Sequence, residues 1–373
     1  MKSHSQRLAL ALALSYAVLP AMAQTGAVEP YKLGSFKQSG RAFLGLVLGD
    51  SRAVDLSRAN AAYEGRNASA KKLAMPTEMV DLINRYDSEL KPRFAAIASE
   101  VARAATAPAY VYPVDSLETL TPLRPSIILN AGGNYTEHEQ GIAAQAQRSG
   151  AAPPPPTTTA AATTAPGLWE RPAGDTRENP YLFLKSPTTV IGPFDPIRMP
   201  IGRDRIDFEC EFNVVIGRTA DHVPIERAAD HVFGYTIQID VSDRGGRGDR
   251  KMGGSDWLVG KNHDTFAPLG PFIVPKEFLP SPMNVKQTFT LNGQVMQDSN
   301  TNRMTHNIHE LLHFASNNLT LSPGDLISGG SPAGTNIERA EPRWMRAGDT
   351  AVCTLEGIGT QKHQVVAPKL PAR

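Results

Sequence analysis

The sequence predicts an α+β, mainly β protein with a small N-terminal α/β unit, residues 24–115, and a larger β-rich domain, residues 123–373. Three observations point there. From Pro180 onward, β-branched runs alternate with Gly and Pro turns, the pattern of many short strands. In that half the one long helical period is Met304 to Ser316. Upstream of Pro113, by contrast, apolar residues recur at helical spacing.

Taken in order, the chain opens with Lys2, His4 and Arg7, then an apolar stretch from Leu8 that ends in Ala21-Met22-Ala23. A charged start, a short apolar centre and a small-x-small site describe a cleaved leader, residues 1–23. The stretch is shorter than the ~20 residues of a membrane span, and Pro20 interrupts it. The expected mature chain starts near Gln24, in the periplasm or outside the cell. An uncleaved anchor is the alternative. From Tyr31 to Leu56 two β-like runs flank Gly49-Asp50, a hairpin signal. A helix is expected after Pro76-Thr77, with Met79, Leu82, Ile83 and Tyr86 on one face and Thr77 near its cap. The alanine-rich stretch from Phe94 to Ala105 continues helically until Pro108 and Pro113. The second domain opens with a short buried strand, Pro125-Ser126-Ile127-Ile128-Leu129-Asn130, that leads into Gly132-Gly133. Residues 143–166 are almost all Ala, Thr and Pro. They bury too little surface to order themselves, so a mobile insertion is expected there. The run Asp349 to Gly357 closes the domain.

A net charge of +1 without a long basic run argues against nucleic acid and anionic membranes as partners. Two cysteines, Cys210 and Cys353, make neither a disulfide framework nor a cysteine zinc site. Both sit in β-like runs, where buried free thiols are expected and a single bridge is the alternative.

The chemistry concentrates in Asp207-Phe208-Glu209-Cys210-Glu211. On a strand, residues two apart share a face, so Glu209 and Glu211 present their carboxylates side by side. Such charges repel unless a cation or a proton lies between them, and oxygen-only donors favour Mg²⁺ or Mn²⁺ over zinc. From this spacing alone, an acidic strand facing solvent is an equally good reading. The next apolar run ends in Asp240, a third carboxylate, with Arg244 beyond it to grip a substrate carboxylate. Lys261, among apolar and glycine residues, suits a desolvated cation that stabilises developing negative charge.

In this setting the chain resembles the fumarylacetoacetate hydrolase family. The D-x-E-x-E strand at Asp207–Glu211 is followed by Asp240 with Arg244, Gly260-Lys261 with Asp264-Thr265-Phe266, and Asn292-Gly293 with Gln297. Then come Thr320-Leu321-Ser322-Pro323-Gly324-Asp325, Ser331-Pro332-Ala333-Gly334, and Gly348-Asp349 through Gly357-Ile358-Gly359. The segments occur in family order over about residues 123 to 366. The resemblance implies a β-roll or barrel catalytic domain and a divalent ion, Mg²⁺ or else Mn²⁺ or Ca²⁺, held by Glu209, Glu211 and Asp240. It implies catalytic roles for His138, Lys261 and Ser331, and substrate-side roles for Arg244, Tyr135 and Lys185. His138, in Asn134-Tyr135-Thr136-Glu137-His138, matches the histidine that activates water. The family often has a glutamate three residues later, where this chain has Gly141, which leaves Glu139, Glu338 and Glu341 as candidate partners. A second departure is Gly329, where the family has a threonine. The implied reaction is C–C hydrolysis of a small 2,4-dioxo acid, with an isomerase, hydratase or decarboxylase as alternatives. A binding protein with a degenerate site is a non-enzymatic reading. The implied partners are a 2-oxo acid and a second copy of the chain in a homodimer.

One competing motif exists. His309-Glu310-Leu311-Leu312-His313 fits the zinc-protease pattern H-E-x-x-H. Its helix is short, and Leu312 and Phe314 are expected in the core, so a structural helix is the preferred reading.

Overall fold

The computed structural model describes residues 28–148, 165, 167–169, 174–247 and 256–370. The expected leader and nearly all of the Ala/Thr/Pro segment beyond residue 148 lie outside them. No helix of the described residues is long and apolar enough to cross a membrane.

The N-terminal unit is a five-stranded antiparallel sheet with helices on one face. Its strand order is Val111–Pro113, Arg52–Asp55, Arg41–Leu48, Lys32–Gln38, Glu118–Leu120. Gly49-Asp50 makes the expected hairpin, both residues with positive φ, as a two-residue turn between twisted strands requires. A second such turn at Ser39-Gly40 makes three strands where two were expected. The last strand carries this sheet past residue 115. Met79, Leu82, Ile83 and Tyr86 are buried as the spacing predicts, although the helix begins at Met79 and Thr77 does not cap it. Lys91–Arg103 is the alanine-rich helix.

The larger domain pairs two sheets. A six-stranded sheet runs Val274–Pro275, Val232–Ile239, Cys210–Ile216, Leu326–Ser328, Ile128–Ala131, Leu182–Lys185. A five-stranded sheet runs Gln294–Asn300, Lys286–Leu291, Thr350–Leu355, Gly359–Val366, Ile197–Arg198. They pack through Phe208, Cys210, Phe212, Phe289, Cys353 and Leu355, in one buried cluster. Phe208 stacks on Phe289 with centroids 4.3 Å apart. Alternation along Cys210–Ile216 sends Glu211, Asn213 and Val215 to the other face. There Val215, Ile128, Leu326 and Phe233 join the core of the N-terminal unit. The carboxylates occupy the uncovered end of that face.

Two expectations are corrected. Cys210 and Cys353 are not free thiols but form a disulfide across the two sheets, 143 residues apart in sequence and 5.6 Å between Cα atoms. Each strand reads locally as an ordinary buried strand, and only their stacking brings the sulfurs together. Residues 143–148 are also not part of a mobile insertion, because the helix Thr136–Arg148 runs through them. Alanine favours helix, and Arg148 docks this helix by donating to the Glu338 carbonyl at 2.7 Å.

Candidate active site

Glu209 precedes the strand Cys210–Ile216 and Asp240 follows the antiparallel strand Val232–Ile239, so pairing of Cys210 with Ile239 brings the acids to one end. The Asp240 N–H donates to the Glu209 carbonyl at 2.8 Å and locks that register. Carboxylate oxygens of Glu209, Glu211 and Asp240 all lie within 4.8 Å of one another, and all three residues are buried. Among the described residues this is the only such group of three or more potential ligands.

Three cations meet these acids. Lys261 Nζ donates to Glu209 Oε2 and Asp240 Oδ2 at 2.5 Å each, and to Ser242 Oγ at 2.8 Å. Arg244 donates to Glu209 Oε1 at 2.5 Å and to Asp207 Oδ2 at 3.1 Å. Lys185 donates to Asp240 Oδ1 at 2.5 Å and to the carbonyls of Lys261 and Val241 at 2.6 and 3.2 Å. Burial alone would raise the carboxyl of Glu209, but Arg244 and Lys261 hold it well below the usual range. Among the described residues, no cation pairs directly with Glu211. It accepts from Asn130 Nδ2 at 2.9 Å and from the Ser328 hydroxyl. Burial, then Asp240 and Glu209, push its carboxyl well above the usual range. Burial likewise lowers Lys185, whereas Asp240 and Glu209 overcome it and raise Lys261. A divalent cation fits this set. The donors are all oxygen, an ammonium already bridges two of them, and the third has no counter-charge among the described residues.

Aromatic rings wall the ammonium. Phe183 and Trp257 stack at 4.4 Å, and Lys261 Nζ lies 5.1 and 5.8 Å from their centroids.

His138 is buried in the first turn of the helix Thr136–Arg148. Its Nδ1–H donates to Glu338 Oε1 at 2.5 Å, which leaves Nε2 as acceptor. When protonated, its positive charge would add to those that lower the Glu209 carboxyl. Glu338, one of the three candidates, is thus the partner. It is held by the Thr335 hydroxyl at 2.7 Å and the Gly334 N–H at 3.0 Å. Burial raises its carboxyl, but His138 and Thr335 draw it below the usual range. Gly141 makes room: a Cβ there would lie 2.8 Å from Glu338 Cγ.

Other expected site residues fall elsewhere. Tyr135 is a core residue, fully buried, its hydroxyl on Gln287 at 3.1 Å. Lys185 has its three protons on protein acceptors, so it orients Asp240 rather than facing a substrate. Ser331 Oγ accepts from Gln297 Nε2 at 2.9 Å and donates to the Pro332 carbonyl at 3.1 Å. The hydroxyls that touch the carboxylates are instead those of Ser242, which lies in the matched segment between Asp240 and Arg244, and Ser328, which carried no local signal. At Gly329, where the threonine is missing, the end of the Met304 side chain fills the space, a Cβ there lying 2.2 Å from Met304 Cε. Gln297, marked in the sequence only as part of a matched segment, bridges to the site. Its Oε1 accepts from the Cys210 N–H at 3.0 Å while its Nε2 reaches Ser331.

Among the described residues, the helix of the competing motif, Ile308–Ser316, joins no group of three or more potential metal ligands. Glu310 closes a capping box with Asn307 and accepts from Arg177 at 2.7 Å. His313 Nδ1 donates to the Val223 carbonyl at 2.7 Å, against the ring of buried Trp169.

Comparison with known proteins decides the family. A family model described as fumarylacetoacetate (FAA) hydrolase C-terminal matches residues 128–366, which include all of this geometry. The chain belongs to the fumarylacetoacetate hydrolase family. Relatives within it include oxaloacetate tautomerase FAHD2A, mitochondrial, from Bos taurus, 33% identical over 297 residues, 78% of this chain and 81% of that protein. Oxaloacetate tautomerase fahd2 from Xenopus laevis is 39% identical over 189 residues, 51% of this chain and 59% of the relative. Similar solved structures of the family include 5-carboxymethyl-2-hydroxymuconate delta-isomerase from Mycobacterium smegmatis, at TM-score 0.60 and 28% identity, covering 91% of this chain and 100% of that one. Maleylpyruvate hydrolase from Sphingobium sp. SYK-6, in complex with manganese (II) ion and pyruvate, aligns at TM-score 0.63 and 25% identity, covering 91% and 100%. The family thus spans tautomerases, isomerases and hydrolases on one fold, and this chain is an enzyme of that superfamily.

Proposed function

We propose that the chain is a divalent-metal-dependent enzyme that moves a proton at the carbon next to the carbonyl of a small 2-oxo acid. Keto–enol tautomerisation, on a dicarboxylate such as oxaloacetate, is the first reading. The observation that carries it is the His138–Glu338 pair beside the carboxylate cluster. A base oriented by a carboxylate stands next to a site built to hold a cation. Glu209, Glu211 and Asp240 would hold the ion. Bound there, a Mg²⁺ or Mn²⁺ ion supplies Lewis acidity to the 2-oxo group.

The chain's own residues do the rest. Arg244 and Lys261, two of the three positive groups at the carboxylate cluster, both favour a substrate with a carboxylate beside its 2-oxo group. Lys261 stabilises the negative charge that develops on the oxygen as the proton leaves. His138 Nε2 accepts that proton while Glu338 holds the imidazolium at Nδ1, and the same nitrogen returns it to the other atom of the enol. Phe183 and Trp257 keep bulk water from the ammonium.

A second reading uses the same parts. With water at His138 Nε2 in place of the substrate proton, the pair would activate a nucleophile for C–C hydrolysis of an acylpyruvate. The maleylpyruvate hydrolase in the family favours it. One experiment tests both. Wild type and His138→Ala are incubated with oxaloacetate and with acylpyruvates, and enol absorbance and pyruvate release are followed separately. Faster loss of the oxaloacetate enol signal by wild type than by His138→Ala supports the tautomerase. Pyruvate release from an acylpyruvate that needs His138 moves the assignment to the hydrolase. Neither activity in metal-loaded wild type refutes the proposal. The homodimer is part of the same proposal, and a monomer by light scattering refutes that part.

A further inference from the structure

Cys210 is the residue between two of the three carboxylates, and its sulfur is bonded to a strand of the opposite sheet. The strand Cys210–Ile216 pairs with Leu326–Ser328 only through Asn213, Val214 and Val215. Its first two residues therefore project past the end of that neighbour and have a ladder partner on one side alone, at Ile239 and Gln238. This end, with a ladder neighbour on one side alone, is the one that carries Glu209 and Glu211. Two contacts stand in for the missing strand. The Cys210 N–H is taken by Gln297 Oε1 at 3.0 Å, and Cys353 holds the Cys210 side chain from behind. Alternation along the strand puts that side chain on the face away from the carboxylates, so the bridge touches no ligand and acts on them only through the backbone.

We propose that the Cys210–Cys353 bridge is a positioning element of the metal site. It fixes the projecting strand end, so that Glu209 and Glu211 stand ready against Asp240 before an ion arrives. Like-charged side chains on a free strand end would move apart, whereas a clamped end cannot relax in that way. Groups that orient ligands from outside the coordination sphere commonly change metal affinity by 10–100-fold. Both sulfurs are fully buried, so the bridge is permanent in the folded protein, not a reductant-operated switch. A permanent bridge suits the oxidising compartment expected from the leader pattern.

The inference rests on the metal-site reading and is tested without turnover. Titration calorimetry with Mn²⁺ alone is run on wild type, on Cys353→Ala and on Leu355→Ala. Leu355 is a buried residue of the same strand, and its variant loosens the same sheet with the bridge intact. The expected result is Mn²⁺ binding weakened about tenfold or more in Cys353→Ala and unchanged in Leu355→Ala. If Cys353→Ala does not fold, wild type refolded with dithiothreitol replaces it, the dithiol becoming a disulfide as Cys210 and Cys353 become thiols. Equal Mn²⁺ affinity with and without the bridge overturns the inference and leaves the metal site standing. An equal loss in Leu355→Ala overturns it too, as general destabilisation. Two alkylatable thiols in denatured, unreduced protein remove its premise. Wild type that binds no Mn²⁺ overturns the inference together with the proposed cofactor.

Discussion

Two stretches of this chain advertise metal chemistry, Asp207–Glu211 and His309–His313, and the fold treats them in opposite ways. In the helix each polar group is satisfied locally: Glu310 by Asn307 and Arg177, His313 by the Val223 carbonyl. In the strand the acids converge, with Asp240 arriving from the next strand, and no cation among the described residues pairs directly with Glu211. Residue type and spacing are equally suggestive in both. What separates them is whether the groups turn toward one another or toward partners of their own, and only tertiary structure decides that. Glu310 is taken up by its own cap and arginine, whereas the strand acids share their cations and face one another, an arrangement into which an ion fits.

The comparison breaks most easily at Glu209. Glu209→Ala should weaken Mn²⁺ binding by at least about 100-fold in calorimetry and lower turnover by about 1,000-fold or more. Unchanged Mn²⁺ affinity would return the strand to the status of the helix. Next in size is the base. His138→Ala should lower turnover by about 10²–10⁴-fold while Mn²⁺ affinity stays near wild type, a division that calorimetry and steady-state rates read together. Glu338→Gln should lower it less, by about 10–100-fold, because the imidazole keeps a hydrogen-bond partner but loses its counter-charge.

On the helix side the effects should appear in stability alone. Burial works against the Glu310 carboxylate, yet His306, Arg177 and the Asn307 N–H bring its pKa to about 2 from an ordinary 4.5. A depressed carboxyl adds stability above pH 4.5 that is lost as the pH falls toward 2. Glu310→Gln should therefore cost about 1–3 kcal/mol at neutral pH in urea titrations and flatten the acid limb of the stability profile over that window. A profile as steep as wild type would contradict the capping role. Smallest of all, His309→Ala with His313→Ala should leave turnover and Mn²⁺ affinity unchanged and cost about 1 kcal/mol of stability. Zinc lost from the purified protein in this double variant would reverse the comparison.

The contrast also explains what was legible from the chain alone. The two-residue period put Glu209 and Glu211 on one face, and the apolar run ending in Asp240 marked the third ligand. Both signals are local. The helix face of Met79, Leu82, Ile83 and Tyr86 was readable for the same reason. Unreadable features all join segments far apart in sequence. Glu338 meets His138 across 200 residues, and Cys353 meets Cys210 across 143. Ser328 and Asn130 reach Glu211 from separate strands. Gly141 showed only that a glutamate was absent at that place, not that one from another loop fills the space. Lys185 carried no local signal; its substrate-side role came with the family resemblance, and its protein acceptors lie 55 to 76 residues away along the chain.

The stacked rings of Phe183 and Trp257 have a further consequence, in light. An indole's emission depends on the electric field across its ring, and a full positive charge lies 5.8 Å from the centre of Trp257. The other two tryptophans sit elsewhere, Trp169 against His306 and His313, and Trp344 with its carbonyl accepting from the Arg343 guanidinium. When an ion enters the carboxylate cluster, the charges around Lys261 rearrange within a few ångströms of that one fluorophore. The protein therefore carries its own dye, placed to change colour as the site fills.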